Sequence, residues 1–509
     1  MKLHTAIAAG AFVAMLSCPG AKAQPADSAR IGTDVDAALL DPRIMRDTTA
    51  YRVDDLLFDG LVELNAKSEP TPGLAKSWDH PDATTWIFHL RDAKFQDGSP
   101  VTADDVIFTF QTTLDPKLAS RWRGQLTPIK SITADDAHTV RMETSQPYAP
   151  LLDYMELGIV SKALTTAPGA DMQAHPVGSG PMRLAGWTRG NTISLDAYPD
   201  YWAGVPKLKH MDVRVVGDNT ARAQALEAGD LDYIASPLSP QDVQRLMGET
   251  KFDHVNISGQ ALTYFLFNSQ DPTLSDPAMR RAVAHLFDQK TILTQIYGGI
   301  DKPANEMLLP TSLGYDPDLK QPAFDPAEAG KELDALGWKR GADGKRAKDG
   351  KPLAITLSTH SEDPNRVQAM EFEQAIFSDA GIDAKVSLAD FPSFFAAVLQ
   401  GRTQIALLGL ALNVPDPDRI LHDTMMTGGS ANWAHYGNPE LDKLLEHARN
   451  TADTRQRIED YCAISRLINK EAIWFWTFQN TYYAISSAKI KGLPKMYSGV
   501  IDVSRVWKE

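Results

Sequence analysis

Apolar side chains recur at every second position through Trp86, Phe88 and Leu90, the spacing of a strand buried on one face. Asp97-Gly98 supplies the turn that closes the following loop. Thr102 then stands as a helix N-cap with Asp105 as its capping-box partner, and Val106 and Phe110, four apart, predict the inward face of that helix. Later in the chain, Ile355 to Leu357 reads as a strand and Arg366 to Ala380 as a helix that Gly381 ends in the left-handed conformation. Ile382, Ala384, Val386 and Leu388 alternate as a strand; Ser393 to Gln400 reads as a short helix; Ile405 to Leu412 is long enough for a fully buried strand. Strands alternating with helices predict an α/β domain with a largely parallel sheet. Asp276-Pro277, Asp325-Pro326 and Asn438-Pro439 each place a capping side chain before a proline at the first helical position. After Pro277, residues Met279, Ala282, Val283, Leu286 and Phe287 form a core-facing stripe.

At 509 residues the chain exceeds one ordinary core, so two or three domains are expected, with interior to spare for a buried ligand site. There is no internal repeat and no low-complexity tract. Lys2, an apolar stretch from Ala6 to Leu16, and Ala21-Lys22-Ala23 before Gln24 have the layout of a cleavable secretory signal over residues 1–23. The competing layout, Met15-Leu16-Ser17-Cys18 as a lipoprotein site that would lipidate Cys18, ranks second because Met15 replaces the usual Leu and a good small-x-small site follows. Beyond this segment no apolar run is long enough to span a bilayer. Cleavage removes Lys2 and Lys22 and no acid, which takes the formal charge from −14 to −16. So acidic a product argues against nucleic acid or anionic lipid as its main partner. Cys462 would then be the only thiol, excluding an intramolecular disulfide, and it sits in the helical pattern Tyr461-Cys462-Ala463-Ile464 as a buried residue would.

The residues do not assemble a catalytic or metal site. Asp54-Asp55, Asp104-Asp105 and Asp135-Asp136 read as caps and solvated turns; there is no Gly-x-Ser-x-Gly elbow; His422-Asp423 and His435 lack the spacing of metal ligands. Gly178-Ser179-Gly180 has no following Lys-Ser/Thr and reads as a tight interlobe turn rather than a phosphate loop.

The strand, turn and helix from Trp86 to Phe110 resemble the signature of the extracellular solute-binding proteins that feed peptide and nickel ABC importers. Further matches follow in family order: Pro-Gly-Leu-Ala-Lys-Ser-Trp at 72–78, Pro-Val-Gly-Ser-Gly-Pro-Met at 176–182, Tyr-Pro-Asp-Tyr-Trp-Ala-Gly at 198–204, Ala225 to Asp232, Phe267-Asn268 with Arg280 to Val283, and Tyr436 to Asp442. The resemblance implies a bilobed α/β periplasmic-binding-protein fold, type II and cluster C-like, whose hinge is two chain crossings near 262 and 480. Lobe I would take residues 24–262 and 480–509 with an inserted subdomain near 58–168, and lobe II residues 263–479. It also implies a monomer without cofactor or covalent chemistry, which binds a small solute between its lobes and delivers it to the permease of an ABC importer in the inner membrane, from the periplasm.

Short peptides are the leading ligand class by family prevalence, but Leu410 and Asn413 stand where dipeptide- and oligopeptide-binding relatives often carry a tryptophan and an aspartate. That aspartate pairs with the ligand's free α-amino group. A neutral Asn413 makes only an ordinary hydrogen bond, which opens the way to N-blocked peptides, opine-like conjugates or oligosaccharides; a nickel chelate or haem has no histidine or methionine cluster to support it. Asp416, between Pro415 and Pro417, remains as a candidate acid or a turn residue. Arg366 is a candidate carboxylate clamp or a solvated helix-start residue paired with Glu362 or Asp363. Trp433 and Tyr436 are candidate pocket walls or core. The run Trp474, Phe475, Trp476, Phe478 reads as hinge and core, with Trp476 its best candidate contact, and Tyr264 and Asn268 read as strand residues. A secreted hydrolase on the same fold, and a protein that presents its ligand to a receptor, are the rival readings from other classes.

Overall fold

The computed structural model describes residues 27–65, 69–234, 236, 238–411, 416–493 and 506–509. The export segment 1–23, with Cys18, and Asn413 lie outside the described residues. In chain order the elements used below are β1 (Ser28–Thr33), α1 (Thr48–Leu57), β2 (Ala75–Asp82), β3 (Thr85–Leu90), α2 (Ala103–Leu114), β4 (Ile129–Asp136) and β5 (Thr139–Thr144). They continue with β6 (Met182–Thr188), β7 (Thr192–Ala197), β8 (His210–Val215), β9 (Tyr233–Ile234), β10 (Phe252–Phe267), α3 (Pro277–Ala284), β11 (Ala354–His360) and α4 (Pro364–Asp379). The last are β12 (Asp383–Ala389), α5 (Phe391–Leu399), β13 (Ile405–Ala411), α6 (Pro417–Met425), α7 (Pro439–Asn450), α8 (Thr454–Glu471) and β14 (Trp474–Ser487).

Local sequence rules account for most of these boundaries. The Asp105 carboxylate accepts from Thr102 N at 2.9 Å and Thr102 Oγ1 at 2.8 Å, so the start of α2 is held by its capping box. Asp276, Asp325 and Asn438 each accept from backbone N–H groups of the helix they precede. Helix α4 begins two residues earlier than its apolar spacing suggests, because Asp363 accepts from Asn365 N and Arg366 N. It ends where Gly381, at φ +89°, turns the chain so that Ile382 N reaches Phe377 O at 3.0 Å. Helix α5 starts at Phe391 rather than Ser393, since Asp390 accepts from Ser393 N. The inward face of β12 fades along its length: Ile382 and Ala384 are buried, but Leu388 is 44% exposed because β12 is the edge strand.

One eleven-stranded sheet runs through the molecule in the order β12-β11-β13-β10-β14-β9-β1-β8-β7-β6, with Lys302–Pro303 pairing β14 as the eleventh member. Strands β12, β11 and β13 are mutually parallel neighbours, whereas β10 runs antiparallel to both β13 and β14. A separate antiparallel sheet, β2-β3-β5-β4, is backed by α2. The cores divide accordingly. One set of apolar residues runs from Ala29 to Phe252 and rejoins the chain at Ala484, Ile485, Ile490 and Val506; the other runs from Leu262 to Phe478. Only β10 and β14 continue from one set to the other. Their pairing is interrupted between Ser258 and Ala261, opposite Thr481 and Asn480.

Several residues that look functional in sequence serve as buried ties. Arg280, 1% exposed, donates to the carbonyls of Leu274, Ser275, Glu471 and Ala472, which satisfies the end of α8. Asp59 accepts from Tyr201 Oη and Trp202 Nε1, both at 3.0 Å. Asn268 donates to the carbonyls of Gly401 and Thr403, and Tyr264 is fully buried. Cys462 is half-buried and its Sγ donates to Gly314 O. Gly178-Ser179-Gly180 lies against the end of α1: Gly180 N donates to Leu57 O at 2.9 Å, and a Cβ on Gly178 would overlap that same carbonyl oxygen. Gly178→Ala is therefore expected to cost at least about 2 kcal/mol, because backbone rather than a side-chain tip must give way. Urea unfolding followed by tryptophan fluorescence would reveal the loss as a lower midpoint at unchanged slope.

Candidate ligand-binding site

The order β12-β11-β13 makes the chain leave β11 toward one side and return on the other, so the gap between the carboxyl ends of β11 and β13 is a topological switch point. Ligands of open α/β sheets bind at such crevices. Two connections meet there: His360 to Asp363, which leads into α4, and Ala389-Asp390, which leads into α5. They are tied together, since Glu362 accepts from Phe391 N at 3.1 Å and lies 3.0 Å from His360 Nδ1.

Arg366 projects from the first turn of α4 across this edge. Its Nε lies 3.3 Å from Asp363 Oδ2, Nη1 donates weakly to Leu407 O at 3.4 Å, and the side chain is 17% exposed. A Cβ at Gly409 would sit 2.7 Å from Arg366 Nη2, so the absence of a side chain on β13 is what lets the guanidinium lie over the strand. Nearby, the buried hydroxyl of Tyr297 has no partner among the described residues and feels the charges of both Asp363 and Arg366.

Leu410 points to the opposite face of the sheet from Arg366, into the core cluster on which Trp433 also packs. There an aromatic row leads outward: Trp433 meets Phe395 edge to face at 5.0 Å, Phe395 stacks on Phe391 at 5.6 Å, and Phe391 is 46% exposed beside His360. Phe391 and Phe395 escaped the sequence reading. The available signal was their i,i+4 spacing behind the Asp390 cap.

The other nominated residues are placed elsewhere or held by other partners. His435 adopts φ +51°, so the chain turns between Trp433 and Tyr436. Ala434 O accepts from Ser269 N, which sets Tyr436 near the start of β13, roughly 17 Å of strand from Leu410. Its Oη accepts from Asn438 Nδ2 at 2.9 Å, and Arg280 lies 5.9 Å from its ring. Trp476 has no exposed surface, and its Nε1 donates to Asn469 Oδ1 at 2.9 Å. Asp416 is more than a turn residue. It caps α6 by accepting from Asp418 N at 2.9 Å, and both its oxygens accept from Arg457 Nη2 at 2.8 and 2.7 Å. Among the described residues no group of three or more His, Cys, Asp or Glu side chains could hold a metal ion.

The two cores meet beside this capped helix. The segment Ala149–Glu156 packs on α7, Tyr148 and Tyr154 lie in the field of the buried Asp418–Arg449 ion pair, and the Asp153 carboxyl hydrogen-bonds Asp416. Two carboxyl groups share a hydrogen bond only if one is protonated. Burial first, and then the Asp416 charge, push Asp153 well above the ordinary carboxylate range, against the pull of Arg457. Burial and Asp55 likewise push Glu156 up to about 8.

A family profile described as bacterial extracellular solute-binding proteins, family 5 Middle, matches residues 69–432. Protein XP55 of Streptomyces lividans is 31% identical over 429 residues, 81% of this chain and 76% of that protein. The probable D,D-dipeptide-binding periplasmic protein DdpA of Escherichia coli K12 is 27% identical over 488 residues, 92% of each chain. The crystal structure of NikA from Brucella suis in complex with Fe(III)-EDTA superposes with a TM-score of 0.85 at 24% identity, covering 95% of this chain and all of that one.

The junction of the two cores yields two expectations. A carboxyl raised in the packed state stabilises that state fully below its ordinary value of about 4, and the contribution is lost as pH rises through the raised value. Asp153→Asn, which mimics the protonated form, should therefore match the native protein below about pH 4 and melt higher than it does at pH 8; parallel melting curves across that range would refute the assignment. Arg457→Met should be destabilising by about 3–5 kcal/mol, because it strands a buried Asp416 charge, whereas the paired change with Asp416→Asn should recover much of the loss. Thermal unfolding of the four proteins at pH 7 measures this coupling.

Proposed function

The chain belongs to the family 5 bacterial extracellular solute-binding proteins, and on that premise we propose that it is the exported substrate-binding component of an ABC importer, capturing a short peptide or a related small organic solute between two lobes and handing it to the membrane permease. The observation that carries this reading is the switch-point crevice, with Arg366 laid over Gly409 at its edge. The peptide class draws on the relative whose name records D,D-dipeptide binding. Export by cleavage after Ala23 and a periplasmic location belong to the same reading, as do the lobe boundaries near 262 and 480, where β10 and β14 would serve as the hinge.

Within the crevice, Arg366 grips a carboxylate of the solute through its fork of donors. The Trp433, Phe395, Phe391 row offers apolar walls that lose little conformational freedom on binding. The sequence carries Leu410 and the neutral Asn413 where peptide-binding relatives often carry a tryptophan and the amine-pairing aspartate, so the favoured solute presents an acid group and a blocked or absent amine. Tyr436, Trp476 and Asp416 support these walls from behind. Closure requires the solute to bind the closed form more tightly than the open one.

Native mass spectrometry of protein purified gently from the periplasm identifies the solute. Masses spaced by amino-acid residues are expected for a peptide carrier, and a single non-peptide mass would establish a dedicated binder such as one for an opine-like conjugate. With the solute in hand, Arg366→Ala should weaken binding by about ten- to hundredfold, the worth of one or two charge-assisted hydrogen bonds. Small-angle scattering should record compaction on saturation. An unchanged radius together with unchanged affinity in the Arg366 variant would remove the crevice from consideration.

A further inference from the structure

A cavity of about 240 Å³ lies between α5 and the sheet edge formed by β11 and β12, and it adjoins the crevice at Ala389. Its wall carries the side chains of Thr356, Ser358, Ser387, Ser393, Arg402 and Thr403. Arg366 and Gly409 lie across the other face of the sheet, and Phe391 and Phe395 occupy a different side of α5 from the lining residues Phe394 and Ala397.

Its polar groups are prepared for a guest. Ser358 and Thr403 are 5% and 7% exposed, and with Thr356 they line the cavity with hydroxyl-bearing residues. Arg402, exposed at the rim, makes no ion pair or side-chain hydrogen bond to a described residue. No acid is among the residues lining the cavity. Two carboxylates that bond lining residues have partners of their own: Asp271 accepts from Thr273 N at 2.9 Å and from Gln404 Nε2 at 3.4 Å, and Asp390 accepts from Ser393 N as the α5 cap. In a chain of net charge −14, an unpaired guanidinium beside several donor hydroxyls is an exceptional local field.

We propose that this cavity is a second binding site, separate from the interlobe crevice, for a small oxyanion such as phosphate, sulfate or a short carboxylate. Arg402 supplies the charge at the mouth, and the hydroxyls of Thr356, Ser358 and Thr403 donate to the oxygens inside. The volume holds several waters or one such anion with its first waters.

Isothermal titration of the mature full-length protein with inorganic phosphate, at constant ionic strength, tests this. Saturable 1:1 binding is expected, weakened at least tenfold in Arg402→Ala, partly restored in Arg402→Lys, weakened again in Thr403→Val, and unchanged in Arg366→Ala. Because Arg402 is exposed, its variants keep the native melting temperature, which separates loss of the site from loss of the fold. Absence of saturable binding by phosphate, sulfate and acetate alike would overturn the proposal, as would binding indifferent to Arg402, binding abolished by Arg366→Ala, or equal binding of glycerol. A failure here leaves the crevice reading standing, since that reading is judged by the Arg366 variant and the native solute.

Discussion

The architecture rests on the pairing of β10 with β14. These two strands alone carry the sheet from the core containing Ala29 and Phe88 to the core containing Leu262 and Trp476, and every other element is placed by reference to one of them. Backbone N–H and C=O groups must be paired wherever they are buried, so a chain that passes between two cores does so at least cost as paired strands. The pairing shifts register twice, between Thr263 and Tyr264 and between Ser258 and Ala261, and the latter interruption falls between the cores. Rotation there disturbs few hydrogen bonds; rotation elsewhere along the pair would break the ladder.

The sheet order then dictates where chemistry concentrates. Because β11 is flanked by β12 and β13 with all three parallel, two connections converge at one edge, and each brings a different kind of group: the cation of Arg366 and the aromatic row beginning at Phe391. Gly409 reconciles the first of these with the strand beneath it. A β13 made wholly of bulky residues would pack more apolar surface but would push the guanidinium off the edge.

Much of this was legible locally. Alternation located β3 and β12, and the capping residues before Pro277, Pro326 and Pro439 located three helix starts, because those signals depend on neighbours within a few positions. What escaped depends on distance along the chain. Nothing near Asp416 announces Arg457 forty-one residues later, so a buried ion pair reads as a turn. Tyr436 follows Trp433 so closely that the two look like one wall, and only the left-handed turn at His435 separates them. Asp390 precedes Phe391 and then Pro392, so the proline falls one place later than in the other starts and the helix reads as beginning at Ser393. Two carboxyl groups meeting between cores, as Asp153 and Asp416 do, cannot be inferred from any spacing at all.

The Asp416–Arg457 tie has an evolutionary consequence. It anchors the start of α6 from behind, while β13 is anchored separately through its ladders to β10 and β11. Neither support depends on the other for its hydrogen bonds. Selection can thus act on the helix start and on the strand independently, a change in one not having to be matched by a change in the other.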